Sequence, residues 1–174
     1  MNGIQMYGGL KAKPGEKFAG YMFMYGETIC GGSGAGPTWN GVSAIRTHMT
    51  NTRATDVEVL EKRIPVLVRK FGIRHGSGWL GLHSGGHGAT RIIEARANMT
   101  FTLNTDRRAT KPYGLAGGEP GKAGLNLALL DHPSGKKRLV NVGGKGVLNL
   151  RLGEQLQVNT PGRRGWGAPD SHES

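Results

Sequence analysis

The chain has 174 residues, a formal net charge of +11 and one cysteine, which excludes a disulfide within the chain and a zinc site built from cysteines. The basic pairs are scattered and do not alternate with aromatic residues, so we expect no nucleic acid partner. No apolar run reaches the length of about 20 residues that spans a bilayer, so we expect no membrane partner either. A lone cysteine suits a reducing compartment, and the expected location is cytoplasmic.

The predicted elements begin after residues 1–20, which are glycine-rich and basic and are expected to be loose. The apolar start of YMFMYGETICGG predicts a strand that ends at the glycines. A short helix follows in TDVEVLEKRIP, where Thr55 or Asp56 is the N-cap and Pro65 ends the helix. Its apolar face has i, i+3, i+7 spacing and consists of Val57, Leu60 and Ile64.

The rest of the chain is predicted to be mostly strands. VLVRKFGIR reads as one strand, and TRIIEARANMTFTLNTDRR carries two more. LNLALLDHPSGKKRLVNV and GVLNLRLGEQLQVNTPG each predict a hairpin, the second with its turn at Gly153 and Glu154, and residues 168–174 are expected to be a loose tail. The fold class is therefore mainly β with one short helix, built from glycine-rich antiparallel strands and hairpins.

Two kinds of site are weak in this sequence. The GSGWLG stretch matches a dinucleotide-binding pattern, but more glycine follows it instead of a helix. GGEPGKAG resembles a phosphate loop, but Ala116, just before it, stands where that loop needs Gly, and Ala123 stands where it needs Ser or Thr. His83 and His87 would share a metal only on a helix, which the glycines between them disfavour, and with His75 they form no set with nearby carboxylates. We therefore expect neither a self-contained ATP site nor a metal site.

The strongest candidate site is the stretch GGSGAGPTWNGVSAIRTHMTNTR, which starts at Gly31. Successive small residues around Ser33 can present backbone N–H groups to an anion, and the Ser33 hydroxyl is a weaker candidate nucleophile. If THMTNTR is extended, alternate residues face opposite ways. The first face would carry His48, Thr50 and Thr52, and the second Asn51 and Arg53. A ligand site and a polar network that braces a loop remain equal alternatives for this segment.

Longer stretches of the sequence resemble the carboxyl-terminal part of the hydantoinase B/oxoprolinase family, in particular its eukaryotic-type oxoprolinases. The resemblance covers residues 21–167 and is carried by GGSGAGP, THMTNTR, PYGLAGGEPG and VNVGGKGVLNLRLGEQLQVNTPG, in the family's order. It implies that the chain is a fragment of a larger α+β domain. The sequence departs from the family at Ala54, at His87 and at Arg163 and Arg164, which stand where the family has a run of glycines.

The resemblance implies an ATP-dependent hydrolase of cyclic amides that opens the lactam of 5-oxo-L-proline to L-glutamate in glutathione metabolism. ATP, magnesium and potassium are implied as cofactors, bound mainly outside this chain. The implied partners are a hydantoinase A-like half, the rest of the hydantoinase B-like half and further copies of the full enzyme. On this reading the chain is incomplete and inactive alone. The alternatives are hydantoinase-type ring opening and a non-catalytic remnant that acts at most as an interaction module.

The same resemblance gives roles to residues of the candidate site. His48 is expected to move a proton, Ser33 is the second catalytic candidate, and Arg53 is expected to clamp a carboxylate. The remaining substrate-binding candidates are Gly32, Gly34, Thr50 and Asn51. We expect the small-residue segment and the THMTNTR segment to form one wall of a single pocket for a negatively charged intermediate, with backbone N–H groups near Ser33 receiving the developing charge.

Overall fold

Two antiparallel sheets form the framework of the part of the chain that the computed structural model describes, residues 2–9, 20–47 and 52–168. The first sheet has strand order β2-β1-β5-β8 and the second β3-β4-β9-β6-β7. In chain order the elements are β1 Asn2–Gly9, β2 Met22–Thr28, α1 Val57–Arg63, β3 Val66–Arg74, β4 Gly88–Ala95, β5 Met99–Thr105, β6 Leu125–Asp131, β7 Lys137–Asn141, β8 Lys145–Leu150 and β9 Gln155–Asn159. The predicted fold class, mainly β with one short helix, is confirmed.

The two sheets share one hydrophobic core because alternate residues of their strands point inward. Ile4 and Met6 of β1 are buried, with the exposed Gln5 between them. They pack in one cluster with residues of both sheets, among them Phe101, Leu103, Ile93, Leu156 and Val158. The expectation of a loose segment over residues 1–20 is therefore wrong for β1, which lies between β2 and β5; residues 10–19 lie outside the described part.

The helix α1 has the ends that its sequence predicts. The Asp56 side chain accepts hydrogen bonds from the N–H groups of Glu58 and Val59, at 2.9 and 3.2 Å, and so caps the first turn. Leu60 and Ile64 are buried in the core that the sheets share. Ile64 is extended, as expected of a residue before proline, and the chain continues directly into β3.

Only one of the two predicted hairpins exists. β6 and β7 pair with each other around the turn that follows Asp131. β8 pairs with β5 in the first sheet, whereas β9 pairs with β4 and β6 in the second. The turn at Gly153 and Glu154 therefore carries the chain from one sheet to the other, and the Glu154 carboxylate accepts hydrogen bonds from the N–H groups of Arg151 and Asp131. No helix in the described residues is long and apolar enough to cross a membrane.

Candidate functional site

A cavity of about 400 Å³ opens where three segments distant in sequence meet. We call it the arginine cavity, and its lining consists of Ser33, Gly34, Ala35, Trp39, Thr47, Arg107, Pro112, Tyr113, Arg163 and Arg164. Ser33 and Thr47 come from the stretch that the sequence analysis singled out, whereas Tyr113 belongs to PYGLAGGEPG and the arginine pair to the segment after β9. The structure thus brings the motifs GGSGAGP, THMTNTR and PYGLAGGEPG together at one cavity.

Three guanidinium groups give this cavity its charge. Arg107 and Arg164 both approach the Tyr113 ring, with their central carbons 5.9 and 5.6 Å from its centroid. Arg163 donates a hydrogen bond from Nε to the carbonyl of Gly32 at 3.0 Å. Burial lowers the pKa of Arg163, and the charges of Arg107 and Arg164 lower it further. None of the described residues that line the cavity is acidic.

The N–H group of Ser33, one member of the predicted row of donors, is already bonded within the chain, whereas the roles of Gly32 and Gly34 stay predictions. The Ser33 N–H donates to the carbonyl of Val42 at 2.9 Å, and the Val42 N–H donates to the Ser33 hydroxyl at 2.7 Å. Two residues further on, the Ala35 N–H donates to the carbonyl of Arg164 at 3.3 Å. These bonds hold the small-residue segment in place, so Ser33 cannot contribute its N–H to an oxyanion hole. Its role as a nucleophile stays a prediction.

The glycines in this region allow backbones to approach each other closely. A Cβ on Gly32 would lie 2.0 Å from the carbonyl oxygen of Gly86, and one on Gly85 would lie 2.1 Å from that of Arg163. Real Cβ atoms essentially never come that close to backbone, so a larger residue at either position would force the segments apart. These glycines therefore allow the segments that carry the lining residues of the arginine cavity to pack directly on one another.

Arg53 lies at a different cavity from Ser33. This second cavity, of about 480 Å³, is lined by Gly3, Ile4, Gln5, Tyr25, Gly26, Glu27, Thr28, Arg46, Thr52, Arg53, Thr55, Thr102 and Asn104, and it shares no described lining residue with the arginine cavity. The expectation of one pocket is therefore wrong for Arg53. The other residues predicted from THMTNTR, namely His48, Thr50 and Asn51, lie outside the described residues, although the preceding Thr47 lines the arginine cavity.

A buried ion pair behind the second cavity was missed by the sequence analysis. Arg91 Nε lies 2.7 Å from Glu27 Oε1, and both side chains are almost fully buried. The Arg91 guanidinium also stacks on the Phe71 ring, 4.8 Å from its centroid. Burial raises the pKa of Glu27, and the charge of Arg91 opposes that shift. The available signal was the charged Arg91 beside the apolar pair Ile92 and Ile93 in β4.

His75, His83 and His87 make ring contacts and hydrogen bonds in the described part of the chain. The rings of His75 and His87 meet edge to face, with their centroids 5.8 Å apart. His87 Nδ1 accepts a hydrogen bond from the Gly78 N–H. His83 pairs with Trp166 through backbone hydrogen bonds. Within residues 2–9, 20–47 and 52–168 no three His, Cys, Asp or Glu side chains are grouped so that they could hold a metal ion.

Comparisons with known proteins agree with the motifs. A family profile described as hydantoinase B/oxoprolinase matches residues 1–169. The 5-oxoprolinase PfmaA of Pestalotiopsis fici is 46% identical over 94% of this chain and 13% of its own length, and the 5-oxoprolinase of Dictyostelium discoideum is 47% identical over 84% of this chain and 11% of its own. This chain thus spans about an eighth or less of those relatives.

A solved structure has the same fold. The nucleotide-free structure of acetone carboxylase superposes with a TM-score of 0.74, over 99% of this chain and 26% of that one, at 16% sequence identity. Such low identity supports a common fold and says nothing of a common substrate. Since the family profile covers nearly the whole chain, the chain belongs to the hydantoinase B/oxoprolinase family.

Proposed function

We propose that this chain is part of an ATP-dependent 5-oxoprolinase, which hydrolyses the lactam of 5-oxo-L-proline to L-glutamate. Two relatives at 46 and 47% identity are named 5-oxoprolinases. The observation that carries the proposal is this identity, which extends over 94% and 84% of the chain. The structure adds that three of the quoted motifs meet at the arginine cavity.

The arrangement suits ring opening in which negative charge grows on the substrate. Arg163 and Arg164 provide guanidinium groups beside the space where a lactam would lie, and such groups stabilise charge that develops at an oxygen. Ser33 and Thr47 offer hydroxyls at the same wall. His48 follows Thr47 directly in the chain, and we retain it as the group that moves the proton. Arg53 is reassigned to the second cavity.

ATP supplies the free energy that drives lactam opening in this proposal. The described residues do not fit ATP or its metal ions, since they contain neither a metal-ligating cluster nor a helix after the GSGWLG stretch. We therefore place ATP, magnesium and potassium outside this chain, in a hydantoinase A-like half, and derive no step through them. The further partners in the proposal are the rest of the hydantoinase B-like half and other copies of the full enzyme, in the cytoplasm.

The test is a chimera, because the chain spans only 11% of the Dictyostelium relative. The matching segment of that enzyme is replaced by this chain, and glutamate release is measured with 5-oxoproline and ATP. We expect release that depends on both. The control is the host enzyme without the segment, which should be inactive.

Two other outcomes would contradict the proposal. Opening of hydantoin without opening of 5-oxoproline would identify a hydantoinase-type enzyme. A folded chimera that opens neither ring would identify the chain as a non-catalytic remnant.

A further inference from the structure

We propose that the arginine cavity is a binding site for a dianionic phosphate group, held by Arg107, Arg163 and Arg164 around Tyr113. Three arginines from two segments converge here, and none of the described lining residues is a carboxylate. Placing like charges together is unfavourable unless an anion joins them, so the arrangement indicates a missing counter-charge. The inference concerns binding by this chain itself and does not depend on the reaction proposed above.

The hydrogen-bonding groups of the cavity support the same conclusion. Arg164 Nε is buried and has no hydrogen-bond partner in the described part of the chain. Because Nε is buried, a ligand in the cavity would be bound through the terminal nitrogens of Arg164. Arg163 is held in place by its bond to the Gly32 carbonyl, which leaves its terminal nitrogens as further donors.

A phosphate fits these groups better than a single carboxylate does. One planar guanidinium already satisfies one carboxylate through two parallel hydrogen bonds. Three guanidiniums instead match a group with two charges and three peripheral oxygens, and arginine is suited to such phosphate recognition. The Tyr113 ring, which Arg107 and Arg164 both approach, keeps these two side chains near each other. Trp39 and Tyr113 are more than half exposed, so their rings can meet an organic group attached to the phosphate.

The experiment titrates inorganic phosphate into the full chain at constant ionic strength and follows tryptophan fluorescence, to which Trp39 at the cavity contributes. Isothermal calorimetry is the second readout. Constant ionic strength matters because the net charge of +11 attracts any anion weakly. We expect saturable binding that strengthens as phosphate becomes dianionic with rising pH. Phenyl phosphate tests whether an attached ring adds affinity, and glutamate and 5-oxoproline test carboxylates.

Substitutions locate the site. Arg164→Gln and Arg107→Gln should each weaken phosphate binding about tenfold or more, since each removes charge-assisted hydrogen bonds. Arg107 is exposed, so its replacement should not affect folding even if that of Arg164 does. The matched control is Arg138→Gln, which removes the same charge from the exposed strand β7.

Three results would overturn the proposal. The first is equal weakening by the Arg138 and Arg107 substitutions, which would assign the binding to net charge. The second is a preference for glutamate or 5-oxoproline over phosphate. The third is the absence of saturation by phosphate in a chain shown to be folded by circular dichroism. Inactivity of the chimera described above would contradict the oxoprolinase proposal and leave this one standing.

Discussion

Replacing Gly32 by alanine tests whether close backbone packing builds the arginine cavity. The new Cβ would lie 2.0 Å from the carbonyl oxygen of Gly86, whereas ordinary contact begins at 3.4 Å. That oxygen also accepts the Arg163 N–H at 2.9 Å, and the Gly32 carbonyl accepts Arg163 Nε at 3.0 Å. Both partners of the clash are backbone, so neither can rotate away as a side chain would.

The expected cost follows from these contacts. Overpacking costs about 1–3 kcal/mol, and each strained hydrogen bond adds about 0.5–1.5 kcal/mol. We therefore expect Gly32→Ala to lower the free energy of unfolding by about 3 kcal/mol, which corresponds to roughly 10 °C in Tm for a chain of this size. Phosphate binding at the cavity should weaken as well, because Arg163 loses its anchor.

Urea unfolding followed by tryptophan fluorescence measures this effect, since Trp39 lines the cavity. Gly72→Ala is the matched control, because a Cβ there meets nothing within 4 Å in the middle of β3. We expect that variant to be unchanged or more stable by less than about 1 kcal/mol. A Gly32→Ala protein as stable as the Gly72→Ala protein would refute the reasoning, because the segments could then separate at no cost.

The remaining predictions concern two ion pairs, Arg69 with Glu94 and Arg91 with Glu27. Arg69 donates a hydrogen bond to Glu94 at 2.7 Å and so lowers the pKa of that carboxyl from its ordinary value of 4.5. The stabilisation from the ionised Glu94 is present above pH 4.5 and is lost as the pH falls through the lowered pKa. In urea titrations, the free energy of unfolding of Glu94→Gln should therefore fall less than that of wild type between pH 6 and about pH 3. Arg91→Met leaves the Glu27 carboxyl buried without the charge of Arg91 and should cost about 3–5 kcal/mol. The double variant with Glu27→Met should recover much of that loss in the same assay, and full additivity of the two single losses would show that the pair is not coupled.

The elements that sequence reasoning predicted correctly depend on neighbours in the chain. The helix begins at a capping Asp56 and ends before Pro65, and both signals lie within one turn of the residues they control. The hairpin of β6 and β7 is closed by a local turn. β8 and β9 show the same alternation and an equally good turn, yet they belong to different sheets. Alternation of apolar residues shows which face of a strand is buried but not which strand it pairs with. Leu150 and Leu156 are both buried in the shared core, although their strands belong to different sheets.

The candidate site was harder to predict because its parts meet only in the folded chain. The sequence analysis located the region of Ser33 and expected N–H groups to receive an anion, whereas the Ser33 N–H is bonded to Val42. The positive charge comes instead from Arg107, Arg163 and Arg164, which read as scattered surface pairs in the sequence. Whether a glycine is needed for close packing depends on what lies opposite it, and composition does not show that. The sequence and the structure thus both indicate an anion site, but the sequence assigned it to backbone N–H groups and the structure indicates arginine side chains. The arginine substitutions test that assignment.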